Sequence, residues 1–588
     1  MPRDLAFTLA GLRAAYARGL QPEAVIVEAF RRLDALGDPG IFLHEARAQA
    51  LAEARALGAP DGRPLWGIPF AVKDNIDVAG MPTTAACPDF AYDATADAFV
   101  VARLRALGAI CLGKTNLDQF ATGLVGVRTP YPVPRNAIDP ALVPGGSSSG
   151  SAVAVAQGLV GFSLGTDTAG SGRVPAALND IVGLKPSLGA LSSAGMVPAC
   201  RTLDTISLFA QSVAEAWELF TLTAGVDPAD AWSRPLPPPR LASLPEAVTV
   251  AVPDAASLRT FGDTAQAAHF HATVERLRAQ GARVRAIDLS PFYAVAELLY
   301  SGPWVAERVA AVGSRLITAP ETLHEVTRAI LAPGLALSAV DAFNGLYRLQ
   351  ELRRVCAQAL EGADVLCVPT IPCFVTREEI AADPFGPNSR LGTYTNFVNL
   401  LDLCGIAVPT GPRADGRPGS LTLLARKGED GRAAALALRV ERGGAAVPLP
   451  ADAPVHAPTS DEIALAVCGA HMAGLPLNGE LTARNGRLLR PARTAPHYRL
   501  FALPGGPPAR PGLHRATEGG AAIALEIWAL PRTALGDFLA GIPAPLVIGT
   551  VELEDGSTVK GFLCEPHGLR DARDITASGG WRAALAEA

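Results

Sequence analysis

The sequence predicts an α/β protein with a central mixed sheet covered by helices, followed by a smaller α+β domain. Its 588 residues exceed the size of one ordinary domain, so two or more domains are expected. A helical pattern at 100–107 precedes an apolar strand at 109–112, and a helix end at 359–361 precedes a strand at 364–368. This alternation is typical of a mainly parallel or mixed sheet with helices on both faces.

Two further helical patterns and a connector complete the first part of the chain. Residues 1–19 carry scattered charges, which favours an amphipathic helix over a signal peptide. Residues 41–57 form a second predicted helix, whose His44 we interpret as a packing residue. The prolines at 235–239 indicate a connector before predicted helices around 265–280.

A change in composition near 443–458 indicates a domain boundary. This stretch is rich in Ala, Gly and Pro, as linkers often are. Beyond it, β-type segments such as 523–530 and 550–553 follow one another with turns between them. The predicted division is a larger first domain at 1–445, a linker at 446–458 and a C-terminal domain at 459–588.

The composition of the chain argues against several classes of function. The net charge of −6 is spread along the chain without basic blocks, which argues against a nucleic-acid partner. No apolar run reaches the roughly 18 residues that a membrane span needs, so no membrane partner is expected. The nine cysteines are dispersed, odd in number and never arranged as C-x-x-C, which favours reduced thiols in the cytoplasm over disulfides or a zinc site.

The most informative segments are rich in glycine and serine, at 144–151 and 165–173. A flexible linker is one interpretation, but a small-residue helix and a strand at 161–164 lie between the two segments. A phosphate loop is another, but the lysine of that motif is missing. Gly146 to Gly150 matches Gly-x-Ser-x-Gly around Ser148, yet no apolar strand runs into it, so we treat this match as accidental.

A serine nucleophile needs a base within hydrogen-bond reach of its hydroxyl. Histidine is the usual base, but His44 is the only histidine before His269. A residue other than histidine must therefore accept the proton.

Four ordered motifs resemble the amidase signature family across roughly residues 20–440, which makes 1–445 an expected amidase domain. The family's spacing between its two motif serines also fits Ser147 and Ser171. One departure is Ala169, where most members have glycine; the methyl group is small, so we expect the loop to retain its function. The motifs are Gly67 to Asn75, Gly145 to Ser151, Asp167 to Arg173 and Val182 to Pro186.

The resemblance implies a Ser-Ser-Lys triad in an amidase signature fold. Ser171 would attack the amide, Ser147 would relay the proton after a cis peptide bond, and Lys73 would accept it. A lysine can act as a base only if burial lowers its pKa, and residues 68–72 supply an apolar setting. The resemblance implies no metal and no organic cofactor.

Backbone N–H groups of the second serine motif would stabilise the oxyanion, because such donors face the developing negative charge. The donors implied are those of Thr168, Ala169, Gly170 and Ser171. We expect five charged residues, four of them in these motifs, to have structural roles instead of taking part in catalysis. They are Asp74, Lys114, Asp167, Arg173 and Lys185.

The segment 298–308 resembles the allophanate hydrolase branch of this family. In that branch a tyrosine and an arginine eight positions apart bind a small carboxylate, which places Tyr300 and Arg308 in that role. The planar guanidinium fork suits a carboxylate. The alternative is that Tyr300 packs in the core and Arg308 extends from a helix towards solvent. Pro303 interrupts the helical pattern, so the periodicity of the sequence does not distinguish these two interpretations. Gly123 is a further candidate for a backbone contact to the substrate.

The tail from 467 to 478 resembles the C-terminal domain of allophanate hydrolases, which is similar in fold to γ-glutamylcyclotransferases. In some relatives this domain is implicated in decomposing the carboxylated product of the first step. The matching histidine is His471, for which a buried histidine with satisfied hydrogen bonds remains an equal alternative.

The resemblance implies an allophanate hydrolase that releases ammonia and carbon dioxide in the use of urea or s-triazine nitrogen. It also implies a homodimer and functional coupling to a urea carboxylase. The alternatives are an amidase for another small carboxylated amide such as malonamate, a glutamine amidotransferase-like protein, and an inactive scaffold that binds a partner through its tail.

Overall fold

The computed structural model describes residues 5–236, 239–242, 244, 248–441, 458 and 462–587. The chain forms two compact units, of which the first comprises 1–240 with 249–445 and the second 241–248 with 446–588. The predicted linker at 446–458 lies outside the described residues, apart from Pro458. The domain boundaries inferred from composition stay a prediction.

The first unit is built on an eleven-stranded mixed sheet. Its strands run in the order β1-β5-β2-β6-β8-β7-β12-β13-β11-β9-β10, and β3 pairs with β4 in a separate small ladder. The strands, in chain order, are β1 (Phe42–Glu45), β2 (Pro69–Lys73), β3 (Pro82–Thr83), β4 (Tyr92–Asp93), β5 (Ile110–Thr115), β6 (Phe162–Asp167), β7 (Val182–Lys185), β8 (Thr205–Ala210), β9 (Thr249–Pro253), β10 (Arg283–Ile287), β11 (Val365–Pro369), β12 (Leu403–Pro412) and β13 (Pro418–Arg426).

Helices cover the faces of this sheet. They are α1 (Leu9–Ala17), α2 (Pro22–Leu36), α3 (Arg47–Ala56), α4 (Phe99–Ala106), α5 (Ser149–Ala156), α6 (Val174–Leu178), α7 (Val213–Thr223), α8 (Thr264–Ala279), α9 (Ser290–Ser301), α10 (Trp304–Val312), α11 (Arg315–Thr318), α12 (Glu325–Leu331), α13 (Ala339–Ala359), α14 (Arg377–Ala382), α15 (Gly386–Leu391), α16 (Asn396–Leu400) and α17 (Asp430–Glu441).

The central strands are buried along their whole length. Every residue of β2 and β6 is buried, and the two strands pair in parallel with Val72 opposite Leu164. Helices exclude water from both faces of these strands, so even the polar residues of β6 are buried. The predicted α/β fold with a mixed sheet is confirmed.

The predicted helix at 41–57 is wrong in its first third. Residues Phe42–Glu45 form β1, which pairs antiparallel with β5, and α3 begins only at Arg47. His44 therefore stands opposite Lys114 in an edge strand of the sheet. Pairing with a distant strand decided this segment, and local periodicity does not contain that information.

The second unit contains a five-stranded sheet in the order β15-β18-β14-β20-β19 and a three-stranded sheet in the order β17-β16-β21. The predicted strands at 523–530 and 550–553 correspond to β18 and to the end of β19, consistent with an α+β tail. Its elements are β14 (Glu462–Val467), α18 (Asn478–Thr482), β15 (Arg487–Arg493), β16 (Tyr498–Ala502), β17 (Pro511–Arg515), β18 (Ala524–Pro531), α19 (Arg532–Ala540), β19 (Leu546–Glu552), β20 (Thr558–Cys564), β21 (Arg573–Asp574) and α20 (Trp581–Ala586).

Two chain-wide properties concern thiols and membrane spans. All nine cysteines are free and buried, as their dispersion predicts. Within the described ranges, no single helix has the length and apolar composition to cross a membrane, and one bent pair, Glu325–Ala336 with Ala339–Ala359, meets those two criteria jointly.

Candidate active site

Lys73 ends β2 at the carboxyl edge of the parallel strands. Its side chain is fully buried. Its Nζ lies 2.7 Å from Ser147 Oγ and 2.7 Å from Thr166 Oγ1. The strand register explains the second contact, because Val72 stands opposite Leu164 and Thr166 follows two residues later on β6. Ligands of open α/β sheets bind at this edge.

Burial controls the protonation of Lys73. Removal from water lowers the pKa of its amine to about 7, although the carboxylates of Asp118, Asp204 and Asp167 act in the opposite direction. The charged form of a lysine loses more from desolvation than the neutral form. A large fraction of this amine is therefore neutral near pH 7 and can accept a proton.

The glycine-serine segment is a packed structural element and not a linker. The Ser148 hydroxyl donates to the carbonyl oxygen of Thr166 at 3.2 Å, and the Ser151 hydroxyl donates to that of Leu164 at 2.9 Å. A Cβ atom at Gly165 would lie 2.8 Å from Ser148 Oγ, so small residues are required where α5 meets β6. Ser148 thus anchors the start of α5.

Ser147 is fixed through its backbone. The peptide bond between Gly146 and Ser147 is cis, as the resemblance implies. The N–H of Asp118 donates to the carbonyl oxygen of Ser147 at 3.0 Å. Ser147 is fully buried, so its hydroxyl is held beside Lys73 away from bulk water.

The loop that carries Ser171 is organised by a buried ion pair. Arg173 donates from Nε and Nη2 to the two carboxylate oxygens of Asp167, each at 2.9 Å. Asp167 also accepts the backbone N–H groups of Gly170 and Gly172, both at 3.0 Å. Both side chains are fully buried, and a charge-assisted bidentate pair fixes geometry strongly. Asp167 and Arg173 hold the loop, as expected.

The predicted oxyanion donors divide into two groups. The N–H of Gly170 already donates to Asp167, so this donor is occupied in the structure. Thr168, Ala169 and Ser171 lie in the same buried loop. Gly170 has a φ of 131°, and a Cβ there would lie 2.4 Å from Thr395 Oγ1. Ala169 has no such positive φ, so the backbone accommodates its methyl group at the departure from the family pattern.

Three contacts around the triad could not be predicted from the sequence motifs. The amine of Lys73 donates a hydrogen bond to Thr166 Oγ1, and the hydroxyl of Thr168 donates to a carboxylate oxygen of Asp204 at 2.5 Å. Burial raises the pKa of Asp204 to about 6. Asn399 donates to the carbonyl oxygens of Asp167 and Leu203. Thr166 precedes a recognised motif directly, but Asp204 and Asn399 belong to distant segments with no motif of their own.

Tyr300 and Arg308 lie on two successive helices, α9 and α10, which break at Gly302–Pro303. Arg308 Nη2 donates to the Tyr300 hydroxyl at 3.4 Å, and Nη1 donates to Thr122 Oγ1 at 3.2 Å. Tyr300 packs against the buried cluster that includes Ala169 of the oxyanion loop. The structure therefore brings this pair and the loop of Ser171 into one region.

Arg308 has no carboxylate partner among the residues that the structure describes. It is 1% exposed, and its Nε is buried without a hydrogen-bond acceptor. Arginine remains charged at physiological pH. The carboxylates of Asp204 and Glu307 favour its charged form, but neither forms an ion pair with it. A buried charge without a direct partner is costly, so this guanidinium is suited to an anionic ligand.

Gly123 is needed for close packing in the loop beside this pair. A Cβ atom there would lie 2.5 Å from Asp118 Oδ2 and 3.1 Å from Arg128 Cδ. These contacts account for the glycine, and the proposed backbone contact to a substrate stays a prediction.

The second unit contains a separate cluster around His471. The ring is stacked on Phe562 with centroids 5.0 Å apart and meets Phe538 edge-on at 5.4 Å. Its Nε2 lies 3.0 Å from Glu480 Oε2. Burial lowers the pKa of His471, and Glu480 opposes that shift. A histidine held by a carboxylate between aromatic rings is suited to proton transfer.

The amine of Lys73, which can be neutral near pH 7, contacts the hydroxyl of Ser147, and a glycine-rich loop carries a second serine, Ser171. These features are those expected of a serine amidase whose base is a lysine instead of a histidine. The chain belongs to the Amidase family, which matches residues 24–433. Within that class, residues 463–586 match the Allophanate hydrolase C-terminal domain.

Relatives match this chain over one or both of its domains. The chain is 38% identical to the allophanate hydrolase of Kluyveromyces lactis, with a TM-score of 0.86 and coverage of 99% of both chains. It is 45% identical over 542 residues to the urea amidolyase of Saccharomyces cerevisiae, covering 88% of this chain but only 29% of that protein. It is also 32% identical to a glutamyl-tRNA(Gln) amidotransferase component of Acidobacterium capsulatum, covering 71% of this chain and 95% of the relative.

Proposed function

We propose that this chain is an allophanate hydrolase, which cleaves the terminal amide of allophanate and releases ammonia. The observation that carries the proposal is the buried Arg308, which has no carboxylate partner among the described residues and lies in the region of the candidate triad. Allophanate combines a primary amide with a carboxylate, so one substrate satisfies both features.

The first half-reaction forms an acyl-enzyme. Ser171 Oγ attacks the amide carbon while its proton passes to Ser147, and Ser147 gives its own proton to neutral Lys73. The N–H groups of Thr168, Ala169 and Ser171 stabilise the oxyanion. When the C–N bond breaks, the proton returns through Ser147 to the nitrogen, and ammonia leaves.

The second half-reaction regenerates the enzyme. Water attacks the acyl carbon and passes a proton along the same route to Lys73, after which Ser171 is released with its proton restored. The product is a dicarboxylate on one nitrogen, which then loses carbon dioxide. Each bond broken is matched by one formed, and every proton passes between the substrate, water and the side chains of Ser171, Ser147 and Lys73.

The substrate is tested by ammonia release from three amides. Purified protein with allophanate, malonamate or glutamine should show the highest kcat/KM for allophanate. A preference for malonamate would identify an amidase for another short carboxylated amide. A preference for glutamine would support an amidotransferase-like role, as the name of the A. capsulatum relative suggests. No turnover with any of the three would favour a scaffold.

Arg308→Ala should raise the KM for allophanate about 10- to 100-fold and change kcat much less. The substrate carboxylate would lose its buried charged donor in both the ground state and the transition state. Steady-state kinetics at fixed ionic strength measure this change. The matched control is Arg328→Ala, which removes an exposed arginine of α12. A KM equal to that of the wild type would remove Arg308 from the substrate site.

We also propose that His471 assists the decomposition of the carboxylated product. His471→Asn should leave ammonia release within about twofold of the wild type and slow carbon dioxide release about tenfold or more, because only the second step loses its proton-transfer group. Ammonia and carbon dioxide are measured in the same samples. Equal rates of carbon dioxide release in both proteins would show that His471 only packs. Phe562→Leu serves as a packing control, since it alters the stacked ring and keeps the imidazole.

A homodimer is the oligomeric state that we propose. Helix α13 exposes a row of apolar side chains, with Val340 at 67%, Phe343 at 57% and Tyr347 at 62% exposure. Such a stripe at helical spacing is typical of a surface that another protein covers. Light scattering of the purified chain tests this, and a monomer mass at micromolar concentration would contradict it.

We propose that a urea carboxylase supplies the substrate, in the cytoplasm. The S. cerevisiae relative is named urea amidolyase, and this chain spans 29% of its length. Carboxylation of urea is the reaction that makes allophanate, so the two activities are chemically consecutive. Nine free buried thiols support a reducing compartment.

A further inference from the structure

A second buried arginine, Arg128, lies beside Arg308. The two guanidiniums meet at Thr122, where Arg308 donates to the hydroxyl at 3.2 Å and Arg128 Nη1 donates to the carbonyl oxygen at 3.1 Å. Arg128 Nη2 donates to the carbonyl oxygen of Pro384 at 2.9 Å. Thr122 is thus held from both sides by charged donors.

Arg128 carries a charge that the protein leaves partly uncompensated. It is 2% exposed, and its Nε is buried without an acceptor. Within the described part of the chain, it forms no ion pair with a carboxylate. Burial lowers the pKa of Arg128, Asp118 opposes this shift, and the charge of Arg308 adds to it. Two buried cations that nearby carboxylates compensate only in part are costly, and a bound anion lowers that cost.

The same loop also contacts the catalytic serine segment. Asp118 accepts the N–H of Arg128 at 2.9 Å and donates its own N–H to the carbonyl oxygen of Ser147. A Cβ atom at Gly146 would lie 1.9 Å from Asp118 Oδ2, so the two segments are in direct contact. Arg128 therefore stabilises a loop that joins Thr122 to the backbone of Ser147.

We propose that Arg128 is a positioning residue that confers selectivity for anionic amides. It holds Thr122 against Arg308, and its charge makes the pocket favour a substrate carboxylate over a neutral group of the same size. This inference rests on the proposed function, because it assigns Arg308 to the substrate carboxylate. Both Nη groups of Arg128 already donate to backbone carbonyl oxygens, so Arg128 does not bind the substrate directly. It acts by positioning Thr122 and through the electrostatic potential of its positive charge.

The test compares a carboxylated amide with its neutral counterpart. Kinetics of Arg128→Gln are measured with malonamate and malonamide, which differ mainly in a carboxylate and an amide. The ratio of kcat/KM for malonamate to that for malonamide should fall about tenfold or more, mainly through the KM for malonamate. Arg128→Lys keeps the charge and should recover part of that ratio. An equal loss with both amides would show only a packing role and would overturn the proposal.

A matched control separates selectivity from stability. Arg413 is another buried arginine, at 4% exposure, but it is paired with Asp263 and Asp415. Arg413→Gln should lower the thermal midpoint without changing the malonamate to malonamide ratio. If it changes that ratio as strongly as Arg128→Gln does, the selectivity does not come from Arg128.

Binding to an inactive enzyme makes the inference independent of turnover. Calorimetry with malonamate should show at least tenfold weaker binding to Ser171→Ala/Arg128→Gln than to Ser171→Ala. Equal affinities would overturn the role of Arg128. The wild type could release no ammonia from allophanate while Ser171→Ala still binds malonamate more tightly than Ser171→Ala/Arg128→Gln does. In that case the proposed reaction would fail, and the role of Arg128 in anion binding would stand.

Discussion

Replacement of Ser171 by Ala should abolish ammonia release from allophanate. Removal of a nucleophile of this type reduces kcat about 10⁶-fold, because no other group forms the acyl-enzyme. The measurement is ammonia release with enough protein to detect a residual rate. The variant should remain folded, because the substitution only replaces a buried hydroxyl with a hydrogen. A thermal midpoint close to that of the wild type would confirm that the variant is folded.

Ser148→Ala is the control for this prediction. Ser148 matches Gly-x-Ser-x-Gly in the sequence, but its hydroxyl donates to the carbonyl oxygen of Thr166. This variant should lose some stability and still react with a fluorophosphonate probe, whereas Ser171→Ala should not react. Labelling of Ser171→Ala to the wild-type extent would place the nucleophile elsewhere.

Replacement of Lys73 by Met should reduce kcat about 10²–10⁴-fold or more. The variant keeps the apolar stem and removes the amine that contacts Ser147, so proton transfer from the nucleophile loses its acceptor. Lys73→Arg should be equally inactive, because a guanidinium stays protonated. Wild-type rates in either variant would exclude Lys73 as the base.

The role of Lys73 as a base also predicts the direction in which activity changes with pH. Burial lowers the pKa of Lys73 to about 7, and the amine must be neutral to act as a base. In the wild type, kcat/KM should therefore rise about tenfold per pH unit below pH 7 and level off above it. Asp204→Asn removes a carboxylate that favours protonated Lys73, so the inflection should move to lower pH. A shift to higher pH would contradict this assignment.

The sequence determined the class of fold and the identity of the candidate triad. Alternating helix and strand patterns predicted the α/β unit, because local periodicity follows the faces that each element buries. Lys73, Ser147 and Ser171 could be singled out because they lie in motifs whose residue types and spacing are specific. The departure at Ala169 could be judged tolerable from size alone, and the structure supplies the reason in its backbone conformation.

Tertiary structure alone decided how the charges around those motifs are arranged. Pairing with β5 turned Phe42–Glu45 into a strand, and the N–H of Gly170, one of the predicted oxyanion donors, donates to Asp167 in this structure. The convergence of Arg128 and Arg308 on Thr122 joins segments far apart in the chain. Strand pairing, burial and unbalanced charge depend on which distant segments meet, and no local pattern of residues specifies that.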